Sequence, residues 1–143
     1  MIYLDTSAFI KLYLNEEGST KVHGLVVGQD EPLPVWHLTE VEFHNALRFK
    51  IYLKELVESD VDRLLSLYFS RKAAGQYHNP YLDPLALHES SIEMTKRTRS
   101  IGSRSLDILH VAAARLLAAA PFVTGDERQG DLARAEGLET VVV

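Results

Sequence analysis

The chain has 143 residues and a formal net charge of −5 at pH 7, and hydrophobic residues make up 46% of it. This length predicts one domain, residues 1–143, with enough chain to bury a sizeable core. The absence of cysteine excludes disulfides, zinc–thiolate sites and a thiol nucleophile. The acidic balance argues against a protein whose whole surface binds nucleic acid non-specifically.

No secretory or membrane segment is expected. Met1 leads directly into an apolar strand, which leaves no room for a charged segment followed by a signal core. The longest apolar stretch, ILHVAAARLLAAAPFV, is interrupted by His110 and Arg115 and closed by Pro121. That pattern is typical of a buried helix and not of a membrane span. We therefore expect a cytoplasmic protein.

Short apolar runs alternate with helical patterns along the chain. The strongest strand candidates are Ile2–Leu4, Pro121–Thr124 and Thr140–Val143, and the weaker ones are Leu33–Trp36 and Tyr81–Leu87. Helical periodicity covers residues 7–28 with a break near Gly18, then 38–54, 58–74, 88–99, 105–119 and 127–136. The alternation predicts an α/β domain with a mostly parallel sheet that is covered on both faces.

Two acids directly follow predicted strands. Ligands of such sheets bind beyond the carboxyl ends of the strands, which is where Asp5 and Asp126 lie. Thr6 and Ser7 can both cap the helix that follows, so we expect Asp5 to be free to act as a ligand. Asp126 has a structural alternative, because with Gln129 it can form a capping-box-like start of the last helix.

The helix over residues 38–54 carries two glutamates in different environments. Its apolar stripe on a helical wheel comprises Leu38, Ala46, Phe49 and Leu53. Glu42 falls inside this stripe, whereas Glu40 lies nearly opposite, among solvent-facing positions. A buried carboxylate requires an ion pair or a bound cation, so Glu42 is either a metal ligand or the partner of an internal arginine.

A further acid lies in the first turn of the helix that begins near Ser105. With Ser105 as the expected N-cap, the helix dipole stabilises Asp107 by about 0.3–1 kcal/mol. Asp107 also shares its face with small apolar residues, which indicates close packing. These are Val111, Ala114 and Ala118. We expect Asp107 to point inward and His110 to be a hydrogen-bonded core residue.

The four acids Asp5, Glu42, Asp107 and Asp126 together predict a catalytic metal site. Oxygen ligands without a His–Cys set select hard divalent ions, Mg²⁺ or Mn²⁺. Crowded carboxylates would otherwise repel one another. Such ions hold a phosphate, activate water and stabilise the leaving oxygen in phosphodiester hydrolysis. The sequence contains no Gly-x-Ser-x-Gly elbow and no P-loop pattern that would indicate another chemistry.

A basic segment, KRTRSIGSR, supplies candidate phosphate contacts. Its cations are Lys96, Arg97, Arg99 and Arg104, with no acid among them. The segment is either a solvated helix end and loop or a substrate-binding rim beside the acids.

Four segments resemble, in the same order, the acidic blocks of PIN-domain ribonucleases, and most of all the VapC-type toxins of toxin–antitoxin modules. They are YLDTSAFIKLY, TEVEFHNALR, SLDILHVAAA and FVTGDERQGDLARAEGL. The resemblance implies a three-layer α/β/α fold with a parallel five-stranded sheet of order 3-2-1-4-5. It places the family's acids on Asp5, Glu42, Asp107 and Asp126, and its supporting hydroxyls on Thr6 or Ser7 and on Thr124.

The resemblance implies an Mg²⁺/Mn²⁺-dependent endoribonuclease that is a homodimer and is silenced by a cognate antitoxin. The alternative is a non-catalytic PIN module that binds RNA or a protein, although the presence of all four acids argues against it. A phosphotransfer enzyme with Asp5 as phosphoacceptor is a third interpretation. The haloacid-dehalogenase pattern would need Asp-x-Asp, whereas Asp5 is followed by Thr6 and Ser7. Asp131 is expected to be exposed.

Overall fold

A computed structural model describes residues 1–143 and contains two parallel β-sheets. The strands are β1 (Tyr3–Leu4), β2 (Leu33–Pro34), β3 (Tyr77–His78), β4 (Phe122–Thr124) and β5 (Thr140–Val142). One sheet has the order β1-β4-β5, and the other pairs β2 with β3. The α/β class is confirmed. The five strands form two sheets and not one, because no hydrogen-bonded ladder connects β1 with β2.

Pro34 explains why β1 and β2 lie side by side without a hydrogen-bonded ladder. The Leu33 amide donates to the Gln76 carbonyl, next to β3, and the Val35 amide donates to the His78 carbonyl in β3. Since successive amides of a strand point to opposite sides, the amide that would face β1 belongs to Pro34, which has no hydrogen to donate.

Eight α-helices connect and cover the strands. They are α1 (Thr6–Phe9), α2 (Ser19–Val26), α3 (His37–Tyr52), α4 (Glu58–Ala73), α5 (Pro84–Met94), α6 (Thr98–Ile101), α7 (Ser105–Leu116) and α8 (Glu127–Ala135). Two 3₁₀ turns, Ile10–Leu12 and Thr95–Arg97, follow α1 and α5. No helix of the structure combines the length and apolar character needed to cross a bilayer.

The predicted strand over Tyr81–Leu87 is wrong. Asp83 accepts a hydrogen bond from the Ala86 amide at 2.7 Å and so caps α5, and Pro84 occupies the first helical position. Proline suits that position because its missing amide hydrogen would have had no partner there. The strand that pairs with β2 lies earlier, at Tyr77–His78.

Alternation along β1 divides the core into two layers. Ile2 and Leu4 pack into a cluster with Phe9 of α1 and Phe43 of α3, whereas Tyr3 packs on the opposite face. Neighbouring residues of a strand point to opposite faces, so one short strand serves both layers. The second cluster contains residues of α7 and α8, which completes three layers.

Candidate active site

A cavity of about 560 Å³ lies beyond the carboxyl ends of β1 and β4. All four predicted acids line it: Asp5, Glu42, Asp107 and Asp126. The β1–β4 ladder continues through the Asp5 amide, which donates to Val123 O at 3.0 Å. Adjacent parallel strands therefore end at the same edge of the sheet, and two helices bring the other two acids to it.

Asp5 is buried, with 3% of its surface exposed, and its carboxylate is held by three donors. Its Oδ1 accepts from the Ala8 amide at 2.8 Å, and the Ser7 hydroxyl lies 2.8 and 2.9 Å from its two oxygens. The Thr124 hydroxyl donates to Oδ2 at 2.8 Å. Burial raises the pKa of the Asp5 carboxyl, and the electrostatic attraction of His110 together with these hydrogen bonds offsets the effect only in part.

The expectation that Thr6 or Ser7 caps α1 is wrong. Asp5 is itself the N-cap, because it is the last extended residue before the helix and its side chain reaches the Ala8 amide. The hydroxyls instead donate to two different carboxylates, Thr6 to Glu42 at 2.6 Å and Ser7 to Asp5. Capping and a role in the site are therefore compatible at Asp5.

Gly125 allows the chain to pass close to Ser7. The Gly125 amide donates to the Ser7 Oγ at 2.7 Å, and a Cβ at position 125 would lie only 3.1 Å from the same oxygen. A side chain at this position would therefore require the Ser7 hydroxyl, which holds Asp5, to shift by a few tenths of an ångström.

Glu42 projects from α3 into the cavity, and only one of its two carboxylate oxygens is hydrogen-bonded. Its Oε2 accepts from Thr6 Oγ1 and lies 2.6 Å from His110 Nε2, whereas Oε1 makes no hydrogen bond. Burial raises the pKa of Glu42, but the hydrogen bond and electrostatic attraction of His110, the Thr6 hydrogen bond and the nearby charge of Arg104 outweigh it. The pKa of Glu42 is therefore lowered, and its internal partner is a histidine and not the arginine considered as an alternative.

The apolar stripe predicted for α3 is wrong as a description of the core. The helix buries Thr39, Phe43 and Leu47, whereas Phe49 and Leu53 are exposed. Ala46 and Phe49 line the cavity together with Glu42. Glu40 lies elsewhere on the helix, where it accepts from Lys72 Nζ at 2.6 Å and from the Tyr68 hydroxyl at 3.0 Å.

Asp107 and Asp126 are bridged by the guanidinium of Arg104. Its Nε lies 3.3 Å from Asp107 Oδ2, and its Nη2 lies 3.1 Å from Asp126 Oδ2. Arg104, and not the expected Ser105, is the N-cap residue of α7, and its amide donates to Asp107 Oδ2 at 3.0 Å. Val111 and Ala114 are buried on this helix, as expected, whereas Ala118 lies beyond its end and is exposed.

Asp126 combines a structural role with its place at the cavity. Its Oδ1 caps α8 by accepting from the amides of Arg128 and Gln129 at 2.9 and 3.3 Å. The helix cap considered from the sequence is therefore present, but the capping box is not, because the Gln129 side chain contacts Thr124 and the Asp107 carbonyl. The cap leaves Oδ2 directed at Arg104. Asp131 is exposed as expected and pairs with Arg134.

The acids fit a hard divalent cation by their chemistry, although they are not gathered into a preformed cluster. No group of three or more His, Asp or Glu side chains lies close enough to coordinate one ion. Glu42 Oε1 and Asp107 Oδ1 make no hydrogen bond, and a cationic side chain, Arg104, already lies between Asp107 and Asp126. The Arg104 side chain is 65% exposed, so its pairs are worth at most about 1 kcal/mol each and can be displaced.

Of the four predicted basic contacts, only Arg104 lines the cavity. Lys96 pairs with Glu93 at 2.7 Å, and Arg97 pairs with Glu136 at 3.1 Å. Arg99 is exposed on α6. These three cations belong to the surface around α5 and α6 and not to the wall of the cavity.

His110 is the residue of the site whose connection to Glu42 was not predicted. It is buried, as expected, and its ring lies between Glu42 and Tyr3. Nε2 contacts the Glu42 carboxylate, and Nδ1 lies 2.8 Å from the Tyr3 hydroxyl oxygen. The spacing of Asp107 and His110, three residues apart on one helix face, was the available signal. It could not identify the partner, because Glu42 lies 68 positions away.

Comparisons with known proteins agree with this architecture. The PIN domain family model matches residues 2–135. A chain in the crystal structure of FitAcB from Neisseria gonorrhoeae has a similar fold, with a TM-score of 0.69 and 14% sequence identity. The alignment covers 98% of this chain and 96% of that chain. Comparison with curated proteins gave no significant match.

Proposed function

Because this chain belongs to the PIN-domain family, we propose that it is a metal-dependent endoribonuclease of the VapC toxin type. The observation that carries the proposal is the convergence of Asp5, Glu42, Asp107 and Asp126 on one cavity at the sheet edge. Asp5, Asp107 and Asp126 also serve helix N-termini, but that role gives no reason for them to converge with Glu42 on one cavity, whereas phosphodiester chemistry has a use for all four.

The four carboxylates would hold Mg²⁺ or Mn²⁺. When bound, the ion neutralises phosphate charge and makes a water molecule more acidic. One of the carboxylates would accept the proton of the attacking water. Glu42, whose pKa is lowered, stays ionised and presents Oε1 as a ligand.

Arg104 would change partners during the reaction. In the free protein its guanidinium neutralises Asp107 and Asp126. Once a cation takes that place, the side chain is free to contact an RNA phosphate at the rim, where charge-assisted hydrogen bonds are strong.

The partners follow from the resemblance to VapC-type toxins. We propose a homodimer in the cytoplasm that is silenced by a cognate antitoxin. Phe49 lines the cavity and is half exposed, and it stacks on the exposed Tyr52 with ring centroids 5.7 Å apart. This pair offers an apolar contact beside the acids.

The test is cleavage of single-stranded RNA with Mn²⁺ or Mg²⁺, with and without chelator. We expect cleavage that requires the metal and is abolished in Asp5→Asn, whereas the matched surface variant Glu40→Gln retains it. Cleavage by Asp5→Asn at the wild-type rate would refute the assignment. A protein that binds RNA but never cuts it, and whose melting temperature Mn²⁺ does not change, would favour the non-catalytic module.

A further inference from the structure

Four polar side chains form a continuous hydrogen-bonded chain from the core to the cavity. Trp36 Nε1 donates to the Tyr3 hydroxyl at 2.6 Å, and that hydroxyl lies 2.8 Å from His110 Nδ1. His110 Nε2 then lies 2.6 Å from Glu42 Oε2. Trp36, Tyr3 and His110 are all buried, so the chain reaches solvent only at Glu42.

The direction of each hydrogen bond follows from counting protons. The indole of Trp36 can only donate, so the Tyr3 oxygen accepts from it. The Tyr3 hydrogen then has His110 Nδ1 as its acceptor, because His110 is the one side chain other than Trp36 that lies within 3.5 Å and in hydrogen-bonding geometry of the Tyr3 oxygen. With Nδ1 accepting, the remaining ring hydrogen of His110 is on Nε2 and is donated to Glu42.

This arrangement determines which oxygen of Glu42 faces the cavity. His110 and Thr6 both engage Oε2, and Oε1 is left without a partner. We propose that His110 is a positioning residue, with its Nε2–H tautomer selected by Trp36 and Tyr3, that orients Glu42 Oε1 toward a divalent cation. The inference rests on the proposed function, since it assigns a role within the same site.

A purely structural histidine would satisfy the same hydrogen bonds, so the test must measure the site itself. Mn²⁺ affinity is measured by electron paramagnetic resonance of free Mn²⁺, and the ring tautomer by ¹⁵N NMR of the histidine side chains. The variants are His110→Phe, His110→Gln, which retains an N–H donor, and Tyr3→Phe. His44→Gln on α3 is the control, because His44 lies outside the cavity.

We expect the Nε2–H tautomer in the wild-type protein and a 10- to 100-fold loss of Mn²⁺ affinity in His110→Phe, as for other residues that orient a ligand. His110→Gln should recover part of this loss. Tyr3→Phe should bind Mn²⁺ several-fold more weakly than the wild type, and His44→Gln should bind it with the wild-type affinity. An Nδ1–H tautomer, or unchanged Mn²⁺ affinity in both His110→Phe and Tyr3→Phe, would overturn the inference.

These outcomes separate the inference from the proposed function. If the wild-type protein binds Mn²⁺ and cleaves RNA while the His110 variants do so equally well, only the positioning role is wrong. If the wild-type protein neither binds Mn²⁺ nor cleaves RNA, the proposed function fails and the positioning role fails with it. Should His110→Phe not fold, the NMR tautomer and Tyr3→Phe still decide the question.

Discussion

Arg104 lies 3.1 Å from the carboxylate of Asp126, although 22 positions separate the two residues in sequence. The same guanidinium contacts Asp107, so an internal cation bridges two of the four acids of the cavity. A metal ion that enters between these acids must displace it.

Replacing Arg104 should therefore strengthen metal binding. In Arg104→Gln, Asp107 and Asp126 lose their internal cation and repel each other more strongly. Because the Arg104 end of each pair is exposed to solvent, each pair is worth about 1 kcal/mol, so we expect Mn²⁺ affinity to rise by about three- to tenfold. Isothermal titration with Mn²⁺ measures the change, and weaker binding in the variant would contradict it.

The same substitution should weaken RNA binding. If Arg104 contacts one phosphate of a single strand, its loss reduces the slope of log K against log salt by about 0.7. Filter binding of RNA to the Asp5→Asn protein at several salt concentrations provides the measurement. Lys96→Gln removes the same charge outside the cavity, and an equal reduction in that control would show that Arg104 has no special contact.

Asp5→Asn should make the metal-free protein more stable at neutral pH. The pKa of Asp5 is raised in the folded state above its ordinary value of 3.8. Between the ordinary and the raised pKa, the folded protein therefore binds more protons than the unfolded protein. Stability of the wild-type protein therefore falls as pH rises through that window, and the ionised carboxylate costs stability above it. Asparagine carries no such charge.

The difference in melting temperature between Asp5→Asn and wild type should be smallest below about pH 4 and grow toward neutral pH. Thermal unfolding in chelator across this range measures it. A variant that is less stable than the wild type at pH 7 would show that hydrogen bonds to the ionised carboxylate outweigh its burial.

Glu42→Gln and Glu40→Gln form a matched pair on α3. Glu42 lines the cavity, whereas Glu40 pairs with Lys72 outside it. We expect Mn²⁺ to raise the melting temperature of the wild type and of Glu40→Gln, and to have little effect on Glu42→Gln. Equal responses from both variants would place the ion away from Glu42.

Tyr3→Phe should destabilise the fold by about 1–3 kcal/mol, because it leaves the buried Trp36 N–H and His110 Nδ1 without their partner. Burial raises the pKa of the Tyr3 hydroxyl, which therefore stays protonated and remains a donor. Urea unfolding monitored by circular dichroism measures the loss. A change below about 0.5 kcal/mol would indicate that water replaces the hydroxyl.

The sequence predicted most of the helices and the two strands that end in acids. It misplaced the strand near residue 80, because the predicted range Tyr81–Leu87 includes Pro84, which begins a helix. The wheel for α3 was also misleading. Phe49 and Leu53 are apolar yet exposed, since the helix packs through Phe43 and Leu47 and turns its Glu42 side to the cavity.

By itself, the sequence determined which acids were available and their local settings, because whether an acid follows a strand or begins a helix depends on its neighbours along the chain. Only the tertiary structure decided how these acids are used. The hydrogen bonds from Thr6 and His110 to Glu42, and the bridge of Arg104 to Asp126, join residues far apart along the chain. Such contacts depend on how the helices pack on the sheet, which no local pattern specifies.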